Sequence, residues 1–236
     1  MPPEPRPRRM LDADQARRFY DDFGAKQDAQ GWYEDEALDA LVARSAFDTA
    51  HSVLELGCGT GRLAATLLSD HLPADCSYLG LDPSATMREL SAARLAPFGD
   101  RARVQPAQGS LPTRPGGWDR LLTTYVLDLL RLATVDHLLN EARHVLAPGG
   151  RLCVAGVTPG TGLRSRIVMG GWDLVHRLSP GLVGGCRPLR LQPRLDPQVW
   201  RILHHDVVTT WGVASEVLVA EPLRSPAPAA PRCSDV

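Results

Sequence analysis

"VLELGCGTGRL", residues 53–63, is the stretch on which the fold turns. An apolar run carrying one acid, Glu55, passes straight into Gly57, Gly59 and Gly61, three glycines at every second position. Glycine costs backbone entropy, so such a cluster marks a tight turn or a backbone that another group approaches closely. Before it, "HSVLEL" (51–56) is a short run of strand formers; after it, Leu63, Leu67, Leu68 and Leu72 keep helical spacing until Pro73. The glycines therefore belong to a turn between a first strand and a first helix.

The same alternation continues downstream. "CSYLGL" (76–81) reads as a second strand, with Asp82 expected as the N-cap of the next helix and Pro83 at its first position. That helix directs Met87, Leu90 and Leu95 inward and ends before Pro97. "ARVQPA" (102–107) is a third strand, which Pro106 should end, and "WDRLLTTYV" (118–126) a fourth. Val135, Leu138, Leu139, Ala142, Val145 and Leu146 mark a helix, and "APGG" (147–150) turns it into a fifth strand, "RLCVAGV". The stretch from Trp200 to Leu223 reads as two strands joined by a turn around Gly212. Strands alternating with helices imply an α/β fold with a doubly wound, mostly parallel seven-stranded sheet, closed by an antiparallel edge. Ligands on such sheets bind beyond the carboxyl ends of the strands, where strand order reverses.

The 236 residues, 44% of them hydrophobic, suffice for one large domain with an ample core. A formal net charge of −1 supplies no global field to recruit nucleic acid or an anionic membrane. Charge is nevertheless uneven: residues 11–49 hold ten Asp/Glu against four Lys/Arg, and residues 151–201 hold eight Arg against two Asp. These are either two solvated faces or two caps that attract each other or an acidic ligand. Cys58, Cys76, Cys153, Cys186 and Cys233 form no CxxC pair, so reduced thiols in a cytoplasmic protein are expected. No apolar run approaches the length of a membrane span, and the start lacks the apolar core of a signal peptide. The expected organisation is a disordered leader (1–10), an N-terminal helical cap (11–50), a main domain (51–222) with an insert at 158–199, and a disordered tail (223–236).

Two phosphate-binding readings of the glycine turn fail. A dinucleotide site of the form G-x-G-x-x-G, counted from Gly57, needs glycine where Arg62 stands. A P-loop needs Gly-Lys-Ser/Thr, and the only lysine is Lys26. The spacing present, E-x-G-x-G-x-G, resembles the first signature of the class I S-adenosylmethionine-dependent methyltransferases, and the resemblance runs from about residue 16 to residue 222. It implies that Gly57, Cys58, Gly59 and Gly61 pass close to the methionine part of S-adenosylmethionine, and that Glu55 orients its amino group. Asp82, in "LGLDPS", corresponds to the family's second signature, where a carboxylate accepts from both ribose hydroxyls; this competes with its capping role for the same oxygens. Pro83 and Ser84 would then lie beside the adenine. In "GSLP" (109–112), Ser110 stands where family members often carry an acid, and Leu111 supplies an apolar wall.

Methyl transfer from a sulfonium is an in-line displacement, so the protein chiefly aligns the acceptor and excludes water. Strand four lacks the Asn/Asp-Pro-Pro-Tyr/Phe typical of enzymes that methylate base or glutamine amines, and no Pro-Cys nucleophile or basic stripe occurs, which disfavours nucleic acid. "TTYVLDLL" (123–130) instead resembles small-molecule enzymes of the ubiquinone/menaquinone-methylase-like group. By that resemblance Tyr125 lines the cofactor. Asp128 faces the acceptor as a general base or as the holder of a cationic amine; its other reading is the N-cap of the next helix. Tyr20, Phe23 and Trp32 are either lid residues over the cofactor, with Tyr20 touching it, or an ordinary hydrophobic face.

The insert, with Trp172, Val175, Leu182, Arg187 and Arg190, is expected to build the acceptor pocket. Cys186 lacks an activating base, and the adjacent His204 and His205 point to opposite faces of a strand, so no metal site is expected. The sequence thus points to a small, partly apolar acceptor and to a monomer or homodimer. The other function classes are a cofactor-binding regulatory partner and a nicotinamide-dependent oxidoreductase.

Overall fold

The computed structural model of the chain describes residues 31–179 and 185–223. Its centre is a seven-stranded sheet of order β3-β2-β1-β4-β5-β7-β6. The strands are β1 (Ser52–Leu56), β2 (Ser77–Asp82), β3 (Ala102–Pro106), β4 (Trp118–Thr124), β5 (Leu146–Val157), β6 (Trp200–Thr210) and β7 (Val213–Pro222). The first five run parallel, and β7 pairs antiparallel with both β5 and β6. Strand β1 lies between β2 and β4, so the order of the chain reverses beside it. This is the doubly wound sheet with an antiparallel edge that the alternation implies.

The helices are α1 (Gly31–Ser45), α2 (Arg62–Thr66, widening into a turn over Leu67–His71), α3 (Ala85–Leu95), α4 (Leu132–Val145) and α5 (Leu163–Leu178). Side chains alternate across a strand, so β1 feeds two cores. Val53 joins Tyr33, Leu41 and Leu67 on one face of the sheet, and Leu54 joins Leu121, Val135 and Leu139 on the other. Buried Arg120 of β4 fastens α1 to the sheet. Its guanidinium donates to the Ser45 carbonyl at 2.7 Å, the Ala46 carbonyl at 2.5 Å and Thr49 Oγ1 at 2.9 Å, satisfying carbonyls that a helix C-terminus leaves open.

Two expectations change. Asp82 does not cap α3: it ends β2, and Ser84 is the N-cap, accepting from the Met87 amide at 3.1 Å. In "DPS" both residues suit a cap, and the strand runs one residue further than its apolar pattern suggests. Asp128 does not cap a helix either, because α4 begins at Leu132 and is preceded by Arg131. Within the insert, for which the sequence suggests no element, α5 occupies sixteen residues. The leader, Tyr20, Phe23, Lys26, Leu182 and Cys233 lie outside the described residues. Among the described residues no helix is long and apolar enough to cross a membrane.

Candidate active site

Where strand order reverses, the turn after β1 meets the turn after β4. Gly57 has φ +76°, and a Cβ there would stand 2.2 Å from Val126 Cγ2. Gly61 has φ +75°, and a Cβ would stand 2.6 Å from Ser91 Oγ on α3. Gly59 is also left-handed, at φ +52°. Gly57 and Gly61 require glycine twice over, by conformation and by space, and Gly59 by conformation.

The amides of this turn are spent inside the protein. Gly57 and Cys58 both donate to the Leu81 carbonyl, at 2.7 and 3.2 Å, and Gly61 donates to the Cys58 carbonyl at 2.9 Å. Gly59 donates to Asp82 Oδ2 at 2.9 Å. A pyrophosphate loop would aim these N–H groups outward. Here they lock the turn to the end of β2, and Arg62, at the position a dinucleotide loop reserves for glycine, pairs with Asp35 of α1 at 2.7 Å. Asp82 is buried; its Oδ1 accepts from the Ser84 amide at 2.9 Å. Each oxygen is thus positioned by one backbone amide, and a carboxylate offers about four acceptor sites in all.

Glu55 is fully buried in β1 and accepts from Tyr78 Oη at 2.5 Å. Burial raises its pKa from the ordinary carboxylate range to about 7; the Tyr78 bond opposes that rise and the Asp82 charge adds to it. Gly80 makes the cluster possible, since a Cβ there would lie 2.9 Å from both Cys58 Sγ and Tyr78 Oη. Tyr78, Gly80 and Ser91 support the site and escape a sequence reading. Tyr78 and Gly80 come in through the pairing of Glu55 with Gly80 across β1 and β2, and Ser91 through the approach of α3 to Gly61.

After β4 the chain makes an unusual turn. Tyr125 has φ +56°, a conformation uncommon for a side-chain-bearing residue, held by its amide to the Ala155 carbonyl at 2.8 Å and its hydroxyl to Ser215 Oγ at 2.9 Å. Asp128, fully buried, accepts from the Val157 amide at 2.9 Å through Oδ2. Its Oδ1 is buried without a hydrogen bond of standard geometry among the described residues, and the weakly donating Cys186 thiol also interacts with this carboxylate. Burial raises the Asp128 pKa to about 6, against the lowering effect of the Val157 amide and Arg187.

A second acid lies near. Glu34 of α1 is buried and raised to about 7, chiefly by burial, with the charge of Asp128 adding to the rise and Arg62 opposing it. Tyr33 meets Tyr125 and Trp172 edge-on, with ring centroids 5.9 and 5.8 Å apart, and the Trp172 indole donates to the Cys186 carbonyl at 2.8 Å. Burial and the charges of Asp128 and Glu34 push the Cys186 thiol well up, so it stays protonated and is no nucleophile. Two acids thus share an aromatic-walled region where α1, α5 and the turn after β4 converge. The sequence flagged Asp128 but not Glu34, which looks like one more charge on an acidic helix.

The remaining positions are more peripheral. Pro83 and Ser110 are exposed, while Leu111 is buried, its amide donating to Glu141 Oε2 at 3.3 Å. His205 pairs with Glu216 at 2.9 Å, and a bulge between Ile202 and His204 interrupts β6 there. No cluster of metal-ligating side chains occurs among the described residues.

Residues 54–152 match the profile of a methyltransferase-domain family. An uncharacterised methyltransferase of Bacillus licheniformis is 40% identical over 109 residues, covering 46% of this chain and 43% of the relative. The chain spans between about a third and three-fifths of the length of the curated relatives it matches. In three dimensions it is similar to the mitomycin 7-O-methyltransferase MmcR, with TM-score 0.61, 19% identity, and 80% of this chain and 54% of that one covered. The [4+2]-cyclase SpnF is as similar, with TM-score 0.61, 19% identity, and 79% and 80% coverage. The chain thus carries a methyltransferase-domain match over residues 54–152 and shares with these solved structures the fold of its seven-stranded sheet.

Proposed function

We propose that the chain transfers a methyl group from S-adenosylmethionine to a small, partly apolar metabolite. The observation that carries the cofactor half is the lock between Gly59 and Asp82. It consumes the amides a phosphate would need and sets a carboxylate at the strand end, an acceptor suited to a ribose diol or an ammonium group. In this reading Asp82 holds the ribose, Glu55 the amino group through its buried cluster, and Gly57, Cys58, Gly59 and Gly61 the methionine chain. Pro83, Ser84, Ser110 and Leu111 stand beside the adenine, and Tyr125 lines the cofactor. Bound there, S-adenosylmethionine supplies an electrophilic methyl group and its own leaving group.

The chain's own residues orient the acceptor and take its proton. We assign that role to Asp128, whose Oδ2 accepts from the Val157 amide; with a pKa of about 6 it is mostly ionised at neutral pH yet basic enough to take a proton from a hydroxyl or ammonium group. Tyr33, Tyr125 and Trp172 provide apolar walls, the usual setting for a few placed polar groups. The same acids would also attract a cationic amine.

Titration calorimetry of the full chain tests the cofactor assignment. S-adenosylmethionine and S-adenosylhomocysteine should each bind 1:1, and NAD should give no heat. A screen of methyl transfer over phenols, quinols, amines and phospholipid head groups, against tRNA and protein extracts, tests the acceptor class. Transfer confined to the macromolecules overturns the small-acceptor reading. Tight cofactor binding without transfer to any acceptor points to a regulatory or non-methylating role, as in a fold shared with a cyclase.

A further inference from the structure

Helix α5 turns two apolar faces outward from its axis, and among the described residues only one of them is packed. Ser165, Met169, Trp172 and His176 form the inner face. Ser165 donates to the Gly212 carbonyl at 3.1 Å, Met169 Sδ accepts from the Ala214 amide at 3.3 Å, and His176 Nε2 lies 3.1 Å from the Gly185 carbonyl. On the opposite side Leu163, Ile167, Leu174 and Leu178 are 78%, 67%, 58% and 74% exposed. Helical periodicity places these four within one narrow stripe.

At the middle of that stripe stand Gly170 and Gly171. Neither has a positive φ, and a Cβ at either would meet nothing within 4 Å, so nothing among the described residues requires glycine there. Each nevertheless costs the helix about 1 kcal/mol relative to alanine. The stripe is also its own mirror: Leu163 and Leu178 lie equally far from the point between the glycines, and so do Ile167 and Leu174. A two-fold contact demands this, because each residue must meet its counterpart on the other copy and be met in return.

We propose that the outer face of α5 pairs with the same face of a second copy of this chain, antiparallel, about a two-fold axis between Gly170 and Gly171. Leu163 then packs on Leu178 of the second copy and Ile167 on its Leu174, while the glycines let the backbones approach closely. The four side chains and their glycine floor remove on the order of 1,000 Å² in total, the low end for specific association, so the dimer is concentration-dependent. A bilayer surface is the rival occupant, since exposed Arg164 and Arg166 flank the stripe. It gives no reason for the mirrored spacing, and two glycines would empty the centre of an inserted face. Through Trp172 the pairing steadies the wall beside Tyr33, whatever reaction the site performs.

Sedimentation velocity of the full chain over a concentration series tests this. The expected result is a reversible monomer–dimer equilibrium, abolished by Leu174→Glu with the circular dichroism spectrum retained. Gly171→Ala should raise the melting temperature of the monomer while weakening the dimer roughly tenfold or more, an opposition that a merely exposed glycine would not produce. In a Cys233→Ser background, Leu163→Cys and Leu178→Cys should cross-link when mixed and not singly, since like positions lie about 22 Å apart in an antiparallel pair. A full chain that stays monomeric throughout overturns the proposal, as does cross-linking of either variant alone. A monomer that floats with phosphatidylglycerol vesicles and loses this through Leu174→Glu assigns the stripe to the bilayer and overturns it too.

Discussion

The Gly59 amide donates to Asp82 Oδ2 at 2.9 Å, so the middle glycine of the first turn and the acid that ends β2 hold each other. Because Oδ1 meanwhile accepts from the Ser84 amide, the two oxygens serve two different donors. The acid therefore has a structural duty in addition to the ribose contact proposed for it.

Asp82→Ala should weaken S-adenosylhomocysteine binding by about 1.5–3 kcal/mol and lower stability by about 1–3 kcal/mol, because two buried amides lose their acceptor. Asp82→Asn should not restore stability. Its NH₂ must face one of the two amides, whereas at a helix cap asparagine would serve almost as well as aspartate. Urea melts and calorimetry on both variants decide it; an asparagine variant that is stable and binds normally removes both duties.

Gly57→Ala meets two obstacles, a left-handed backbone and Val126 Cγ2 at 2.2 Å. It should destabilise the fold by roughly 2–4 kcal/mol, combining overpacking with the conformational penalty. Adding Val126→Ala should recover the steric part and leave about 1–2 kcal/mol, the cost of the left-handed conformation alone. Denaturant midpoints in a double-mutant cycle measure the split, and strict additivity would show that the two turns do not touch.

What could be read from the sequence follows from locality. The glycine turn, β1 and α2 are written in consecutive residues, and Pro106 ends β3 where its chemistry requires. The cap of α3 fell to Ser84 because the choice between two good cap residues two positions apart depends on where β2 stops pairing. The Glu55–Tyr78 bond and the approach of Glu34 to Asp128 need the sheet register and the docking of α1, which no local pattern encodes. Helix α5 carries two central glycines, poor helix formers, and only the packing of its inner face shows what holds it.

Stability should fall as pH rises from about 4.5 to about 7. Glu55 is raised in the folded state to about 7, so the native chain binds more protons than the unfolded one across that window. The stabilisation is complete below the unfolded pKa and is lost as pH passes the folded value. Glu34, raised to about 7 as well, adds to the same slope. Urea unfolding at intervals between pH 4.5 and 8 should show the decline, and Glu55→Gln should flatten part of it. A stability that rises through this window would mean that Glu55 is ionised within the fold.

Asp128 offers the sharpest test of the chemistry. Its carboxylate is buried, fixed through Oδ2 by the Val157 amide, and raised to about 6 mainly by that burial. As the base for a hydroxyl or amine acceptor it works only when ionised. With an acceptor that does not itself titrate nearby, kcat/KM should climb as pH rises through about 6 and then level off. Asp128→Asn should keep the shape of the side chain while removing the proton acceptor. Turnover should fall by about 10²–10⁴-fold, the usual worth of a positioned base, and the ascending limb should vanish. Binding of S-adenosylhomocysteine should stay within a few-fold of the unmodified chain, because Asp82 and Glu55, not Asp128, are assigned to the cofactor. The amide of asparagine also separates roles by its donors: facing the Val157 N–H with nitrogen would cost stability, so melts must accompany the kinetics. A variant that folds and binds the cofactor normally yet turns over at the original rate, with the pH limb unchanged, would move the base elsewhere, with Glu34 the next acid to test.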